Sequence, residues 1–576
     1  MRQLLFIFIA TTHFFMTTTV ERLHKFLLGS HLNKEGALAV KSALTIVEIL
    51  VAAKCCFRCC LRFLACANFG LYALQETDLN DAFDQLLYED RQAKYDVADC
   101  AVCTACLGSI QYAASYVDDV YEELKKEDYK ADSCCLTCTL PVGMLLRDHL
   151  LKVHIINTLL EKYADQEYTS ELVRFYRDNS VRDPKDCFKH LFGIEFKEKT
   201  GLGLDADGTL LMTVVISHEP TSKDHLFMTE LKKPLLNLRT VRQKRMRVTV
   251  GDSRPSIIDA LKRLDSEEAK SFTSIPPVAP TERAKFETVT LLHTSSHVGG
   301  RYLKFSREYS QTPWAIKGRK LTEYSVSECF AEIIRKYHRA DDIKFVTAGR
   351  EDANVRMLGT GRPFYLEIIN PRSPRLTDAE YKQIEQEINS QPMHKDNVQV
   401  RHLGYIEPKY TSIIKEGEET KTKRYRALVW LSEPLTDQLI ERINKVGSTP
   451  FTIQQKTPVR VFQRRSAAVR PKIIHTSTIA RLKHDVDMDS PEAHYGVLQL
   501  HTQAGTYIKE YVHGDLGRTL PNLASVGAIH SADLLELDVM DVDLVWPPQL
   551  EDKLEEKKPL NDVKNENNKR PLSNIE

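Results

Sequence analysis

The chain has 576 residues, too many for one hydrophobic core, so two to four domains are expected. Its 79 basic and 79 acidic residues cancel, so whole-chain electrostatics gives no sign of a nucleic-acid partner, while 42% hydrophobic and 27% charged residues describe a chain most of which folds. No stretch reaches the roughly 20 consecutive apolar residues that a membrane-spanning helix needs, which excludes a helical membrane protein.

In chain order, Met1-Arg2 precedes an apolar run, Leu4 to Ala10, and a second patch, Phe14-Phe15-Met16. The segment is like a weak signal peptide without a small-residue cleavage site, and reads as a disordered or membrane-touching extension or as an artefact of the gene model. Leu23, Phe26 and Leu27, then Leu38, Val40, Leu44, Val47 and Leu50, recur at helical spacing, so residues 1–54 form a partly helical extension. Eleven of the thirteen cysteines then fall between Cys55 and Cys138. Cys56 with Cys59 and Cys103 with Cys106 have the two-residue gap that lets both sulfurs of a pair reach one tetrahedral metal ion. Cys100 with Cys103 and Cys135 with Cys138 share that spacing, and disulfides or buried free thiols are alternatives to a metal.

Met144 to Lys162 repeats the helical pattern through Leu146, Leu150, Ile155 and Leu159, and Leu210 to Ser217 reads as a buried strand. Between them, Gly201, Gly203 and Gly208 imitate a nucleotide-binding glycine loop, but the third glycine is displaced and Leu204 to Asp207 reads as a turn. A basic run follows at Arg239 to Arg247, and the three prolines of Ser274 to Pro280 mark a semi-rigid linker. The accessory module is placed at 55–273, the linker at 274–287 and a second domain at 288–546.

The second domain alternates strands with helices. Ser325 followed by Glu328 predicts a capping box for a helix through Ile334, and Leu376–Asn389 and Leu435–Val446 read as further helices. Strands are expected at Val398–Ile406, Tyr425–Leu431, Thr452–Val461, Tyr495–Thr502 and Leu534–Val539. The fold class is therefore α/β (α+β), a mixed, largely antiparallel sheet with flanking helices beside a smaller α+β module. After Pro547-Pro548 a Lys-, Glu- and Asn-rich tail, 547–576, is expected to be disordered.

Residues 349 to 364 carry the chemistry. Apolar, β-branched runs at Ile343–Ala348 and Pro363–Ile369 place Asp352 on a loop between two strands, with Gly349, Gly359 and Gly361 for turns. Arg350, Arg356 and Arg362 set a local field that keeps the carboxylate ionised, which suits a nucleophile or base acting on a polyanion. Basic residues cluster again at Arg424 and Arg426, which flank Tyr425, at Arg464, Arg465, Arg470 and Lys472, and at Arg301, Lys304 and Arg307. No GxxxxGK[ST] occurs, which argues against an ATPase, and the only cysteine of this half, Cys329, falls on a helix.

The string 349–364 resembles the catalytic motif of pseudouridine synthases, most closely that of the archaeal and eukaryotic Pus-ten family of tRNA pseudouridine synthases. Gly299 to Arg307 with Ser310 to Trp314, Arg424 to Leu428 and Thr502 to Glu510 are similar to further motifs of that family, in the same order. The resemblance implies cleavage of the bond from uracil N1 to ribose C1′, rotation of the base and reattachment through C5, with no cofactor for catalysis. Asp352 would be the catalytic carboxylate, attacking or deprotonating the nucleotide. Tyr425 would stack on the extruded uracil and take the C5 proton, and Lys509 would pair with Asp352. RNA contacts would come from Arg350, Arg356, Arg362, Arg424, Arg426, Arg464 and Arg465.

The same resemblance favours Cys56, Cys59, Cys103 and Cys106 as ligands of a structural zinc ion, beside a THUMP-like RNA-binding fold. It implies a nuclear or cytoplasmic enzyme, monomeric and not membrane-bound. Its partner would be tRNA, modified in the T-loop at position 54, position 55 or both, with other structured RNA hairpins as further partners. The alternative is a non-catalytic, zinc-containing protein that grips structured RNA.

Overall fold

A computed structural model describes residues 19–28, 36–87, 102–179, 181–243, 246–462, 465–483 and 485–548. The apolar segment 1–18 and the tail beyond 548 lie outside them. The chain divides into two compact units, Met1–Leu292 and His293–Glu576. No helix of the described residues is long and apolar enough to cross a membrane.

In the first unit the helical periodicity becomes a helix over 19–28 and another at Gly36–Ala52, which bury Leu23, Leu27, Val47 and Leu50. Gly143–Lys162 is helical, and its stripe of Leu146, Leu150, Ile155 and Leu159 faces inward. The strand Leu210–Ser217 alternates as a half-covered strand should, burying Leu210, Met212, Val214 and Ile216. It runs parallel to Ser133–Thr139, which also pairs with Gly203–Leu204. Gly201 is a helix stop, not part of a nucleotide loop: it caps Pro184–Thr200 at φ 76°, a left-handed conformation that favours glycine, and its N–H donates to the Lys197 carbonyl. The basic run forms a hairpin of Arg239–Gln243 with Met246–Val250.

Lys285–His293 is a strand next to Leu210–Ser217 in the four-stranded sheet, and the division into two compact units falls at its end, between Leu292 and His293. Most of this edge strand is solvent-exposed, and its polar residues hid it from periodicity.

The second unit is built on a ten-stranded sheet. Its order is Val398–Tyr405, Ser296–Lys304, Val355–Ile369, Ala532–Val542, Lys423–Leu431, Tyr495–Thr502, Val469–Arg481, Phe451–Lys456 and Thr519–Leu520, with Asp342–Thr347 also paired to Val355–Ile369. Every pairing given a register is antiparallel except that of Val355–Ile369 with Ala532–Val542. Helices Val326–His338, Asp378–Ser390 and Asp437–Gly447 bury Phe330, Ile334, Tyr381, Ile384, Leu439 and Ile443 against it.

At Ser325 the expected cap forms: its hydroxyl accepts from Glu328 N–H at 3.4 Å, and the Glu328 carboxylate takes the Ser325 hydroxyl (2.7 Å) and Lys320 (3.0 Å). The reciprocal box is at Thr377 and Glu380, with backbone bonds of 2.7 and 3.3 Å.

A candidate active site on the strand-flanked loop

The acidic loop is shorter than the motif. The strand that follows it starts at Val355, so Arg356, Gly359, Gly361 and Arg362 belong to a strand that runs through to Ile369. The register shifts between Met357 and Arg362, a bulge that needs glycine. Gly359 and Gly361 both have positive φ, and a Cβ on Gly359 would stand 1.8 Å from the Met540 carbonyl oxygen.

Two buried cations fix the loop from below. Lys304, fully buried, donates from Nζ to the carbonyls of Tyr309 (2.8 Å), Asp352 (3.2 Å) and Ala353 (2.7 Å), and burial pushes its pKa down to about 8. Arg362 pairs its Nε with Glu351 Oε2 at 2.7 Å and donates to the Ala348 carbonyl at 2.8 Å. The Tyr302 hydroxyl bonds the same carboxylate at 2.8 and 3.0 Å, and Gln311 bonds that hydroxyl at 2.8 Å. Glu351 thus points into the protein, and the next residue, Asp352, is turned outward and half exposed.

Asp352 Oδ2 accepts from Lys509 Nζ at 2.9 Å and lies 3.4 Å from the Arg460 guanidinium. Lys509 rides on the short helix Ile508–His513 and is steadied by Asn354 Oδ1 at 3.2 Å. Burial works to raise the Asp352 pKa, but the Lys509 hydrogen bond and the charges of Lys509, Arg460 and Arg350 outweigh it, so the carboxyl sits below the ordinary range. Tyr425 lies opposite Val539, which lies opposite Met357, so the tyrosine shares a row with the strand that leaves the acidic loop. Burial pushes its pKa up to about 12 against the opposing charge of Arg362, and at neutral pH it stands as a neutral phenol.

The predicted RNA contacts divide. Arg350, Arg424, Arg426 and Arg465 are exposed, and Arg464 lies outside the described residues. Arg362 does not face solvent: sequence spacing placed it with a polyanion site, but the bulge turns it inward onto Glu351, with 2% of its side chain exposed. Arg356 is engaged bidentately by Asp538 at 2.8 and 2.7 Å, and Arg307 joins the same carboxylate at 2.8 Å. Arg301 is buried too, donating to the carbonyls of Thr360, Leu544 and Gly361. These cations hold the sheet together under the site. Sequence reasoning gave no role to Arg460, Glu351, Asp538 and Glu510; of these, Glu351 beside Asp352 and Glu510 beside Lys509 stood inside the recognised strings.

In the first unit the sulfurs of Cys56, Cys59, Cys103 and Cys106 all lie within 4.8 Å of one another. A tetrahedral zinc–thiolate site, with bonds of about 2.3 Å, would place its sulfurs about 3.8 Å apart, so this donor set fits a metal ion. The Cys56 and Cys106 amides point at Cys103 Sγ (3.2 and 3.5 Å) and Arg62 at Cys59 Sγ (3.5 Å), contacts that suit thiolates. Cys134, Cys135 and Cys138 lie on the strand Ser133–Thr139 outside this group, Cys100 lies outside the described residues, and no disulfide joins the described cysteines.

The family described as "Pus10, C-terminal" matches residues 297–543, and that described as "Eukaryotic Pus10, N-terminal" matches residues 103–291. The tRNA pseudouridine synthase Pus10 of Xenopus laevis is 30% identical over 542 residues, spanning 88% of this chain and 98% of that protein. The Homo sapiens protein of the same name is 33% identical over 457 residues, 78% of this chain and 80% of that protein. Among solved structures, a crystal structure of a Cbf5-Nop10-Gar1 complex aligns with 42% of this chain and 47% of that chain, at 14% identity and a TM-score of 0.22.

Proposed function

The chain belongs to the Pus10 family, and on that premise we propose that it is a tRNA pseudouridine synthase that isomerises uridine in the T-loop, at position 54, position 55 or both. The observation that carries the catalytic part of this reading is the ion pair of 2.9 Å between Asp352 and Lys509, residues 157 apart in the chain. A carboxylate kept anionic at the mouth of a loop is suited to attack ribose C1′ or to remove a ribose proton once the uridine is extruded. Extruding a stacked base costs a few kcal/mol and needs replacement contacts. Tyr425 supplies a ring on which the uracil stacks, and exposed Arg350, Arg424, Arg426 and Arg465 supply charge for the RNA backbone. As a neutral phenol Tyr425 takes the C5 proton only if it passes its own proton onward in the same step.

The test is incubation of the purified chain with an unmodified tRNA transcript and mapping of the new pseudouridines. Conversion at a T-loop uridine is expected; conversion confined to other positions overturns the substrate assignment, and no conversion overturns the activity.

The four-cysteine group is read as a zinc site that closes the accessory unit, with Cys56, Cys59, Cys103 and Cys106 as ligands. Zinc there would crosslink segments remote in sequence and perform no chemistry on RNA. About one zinc per chain is expected by elemental analysis, retained in Cys134→Ser and lost in Cys56→Ser; the opposite pattern would reassign the ligands. We read this unit as a THUMP-like RNA-binding module, and the protein as a monomer of the nucleus or cytoplasm, where its tRNA substrate is found.

A further inference from the structure

Lys509 is not the only cation on the catalytic carboxylate. Arg460, in the turn Val459–Val461, lies 3.4 Å from Asp352 Oδ2 through one terminal nitrogen while its Nε donates to Glu510 Oε1 at 2.7 Å. Glu510 is 2% exposed, and its second carboxylate oxygen is buried without a partner, so this side chain is committed to one task, holding the guanidinium. Two consecutive residues of one helical turn therefore act on Asp352, Lys509 directly and Glu510 through Arg460. Both cations meet the same oxygen, Oδ2, and among the described residues no bond engages Oδ1.

Resting on the reading of Asp352 as the catalytic carboxylate, we propose that Arg460 is a second catalytic cation, that Glu510 is its positioning residue, and that together with Lys509 they reserve Oδ1 as the oxygen that meets the nucleotide. A carboxylate with two cations on one oxygen is held in one rotamer, and its other oxygen keeps its lone pairs for the ribose. The electrostatics agree: the charges of Lys509, Arg460 and Arg350 lower the Asp352 pKa, and the Glu510 bond raises that of Arg460 against its burial. The charged and titratable groups around the pair are Lys509 and Glu510 on the helix, Tyr507 just before it, Arg350 on the loop and Lys304 beneath it. Arg460 keeps nearly half of its side chain exposed, which leaves it in reach of the RNA as well.

The test has two readouts. The first is the Asp352 titration, followed as the infrared carboxylate difference between the chain and its Asp352→Asn variant, which needs no activity and so separates this inference from the assignment of the reaction. In Arg460→Met the midpoint is expected to rise by roughly half a unit to one unit, the effect of a close opposite charge reduced for partial exposure. Glu510→Gln is expected to move it the same way by less. The second readout is single-turnover conversion of unmodified tRNA: the maximal rate falls about tenfold or more in Arg460→Met with the RNA Kd changed by less than a few fold, and Arg460→Lys, which cannot bridge Glu510 and Asp352 with a planar fork, recovers little. An unmoved midpoint in both variants, or a loss confined to Kd, would overturn the proposal and make Arg460 a plain backbone contact.

Discussion

Asp352→Asn is expected to reduce isomerisation by at least about 10⁴-fold while leaving the fold and the RNA affinity in place. Asparagine is isosteric but neither nucleophile nor base, so on the proposed role of Asp352 the step that breaks the glycosidic bond loses its agent. The side chain is half exposed, and its ion pair with Lys509 is one-fifth to half exposed, a class of pair that contributes little to stability. Removing a negative charge beside an approaching polyanion weakens nothing in binding and can tighten it. Other acids of the region cannot take over, because Glu351 is bound by Arg362 and Tyr302, and Asp538 by Arg356 and Arg307. Activity retained to within tenfold, with binding unchanged, would place the catalytic group elsewhere; a cellular role untouched by the substitution would favour an RNA-gripping protein.

The second large effect is on stability. Arg362→Met leaves the Glu351 carboxylate in a site where only 1% of its side chain is exposed, with the Tyr302 hydroxyl as its remaining donor. Breaking such a buried pair from one side costs ~3–5 kcal/mol, because the leftover charge is not hydrated. The Glu351→Leu, Arg362→Met double variant is expected to recover most of that loss, since it buries no unpaired charge, yet to stay slow because the loop behind Asp352 has lost its tether. Denaturant unfolding of the second unit reads the first effect and single-turnover rate the second. A single variant as stable as the parent would mean that Arg362 is solvated, as its place in the basic string first indicated.

The elements that the sequence revealed are those whose burial is periodic. Gly143–Lys162 and Leu210–Ser217 carry uninterrupted stripes, and their structural bounds lie within a residue of the expected ones. Ser296–Lys304 escaped because Gly299, Gly300, Arg301 and Lys304 read as loop and surface, whereas in the sheet they are buried, the charges satisfied by backbone carbonyls. Val469–Arg481 escaped because Arg470, Pro471 and Lys472 open it like a basic loop. The site divides the same way. Asp352, Tyr425, Lys509 and the four cysteines stand in recognisable strings, but the partners of the arginines are set by folding: nothing in the sequence near Arg460 announces Glu510, fifty residues on, nor near Arg356 announces Asp538. Charge clustering in sequence does not tell which arginines stay free: past the bulge Arg362 turns into the protein onto Glu351, and Arg356 is taken up by Asp538, while Arg350 stays exposed.

The claim on which the rest depends is that Asp352 is kept ionised by Lys509, and the pH dependence of single-turnover conversion by the chain and its Lys509→Met variant measures it. A carboxylate whose pKa is depressed works above that pKa and is lost as pH falls through it, so the acid limb of the unaltered enzyme lies below the ordinary carboxylate range. With the ammonium removed, the charges of Arg460 and Arg350 still oppose burial, and the limb is expected to move up by about one unit. A limb that stays where it was would contradict the account.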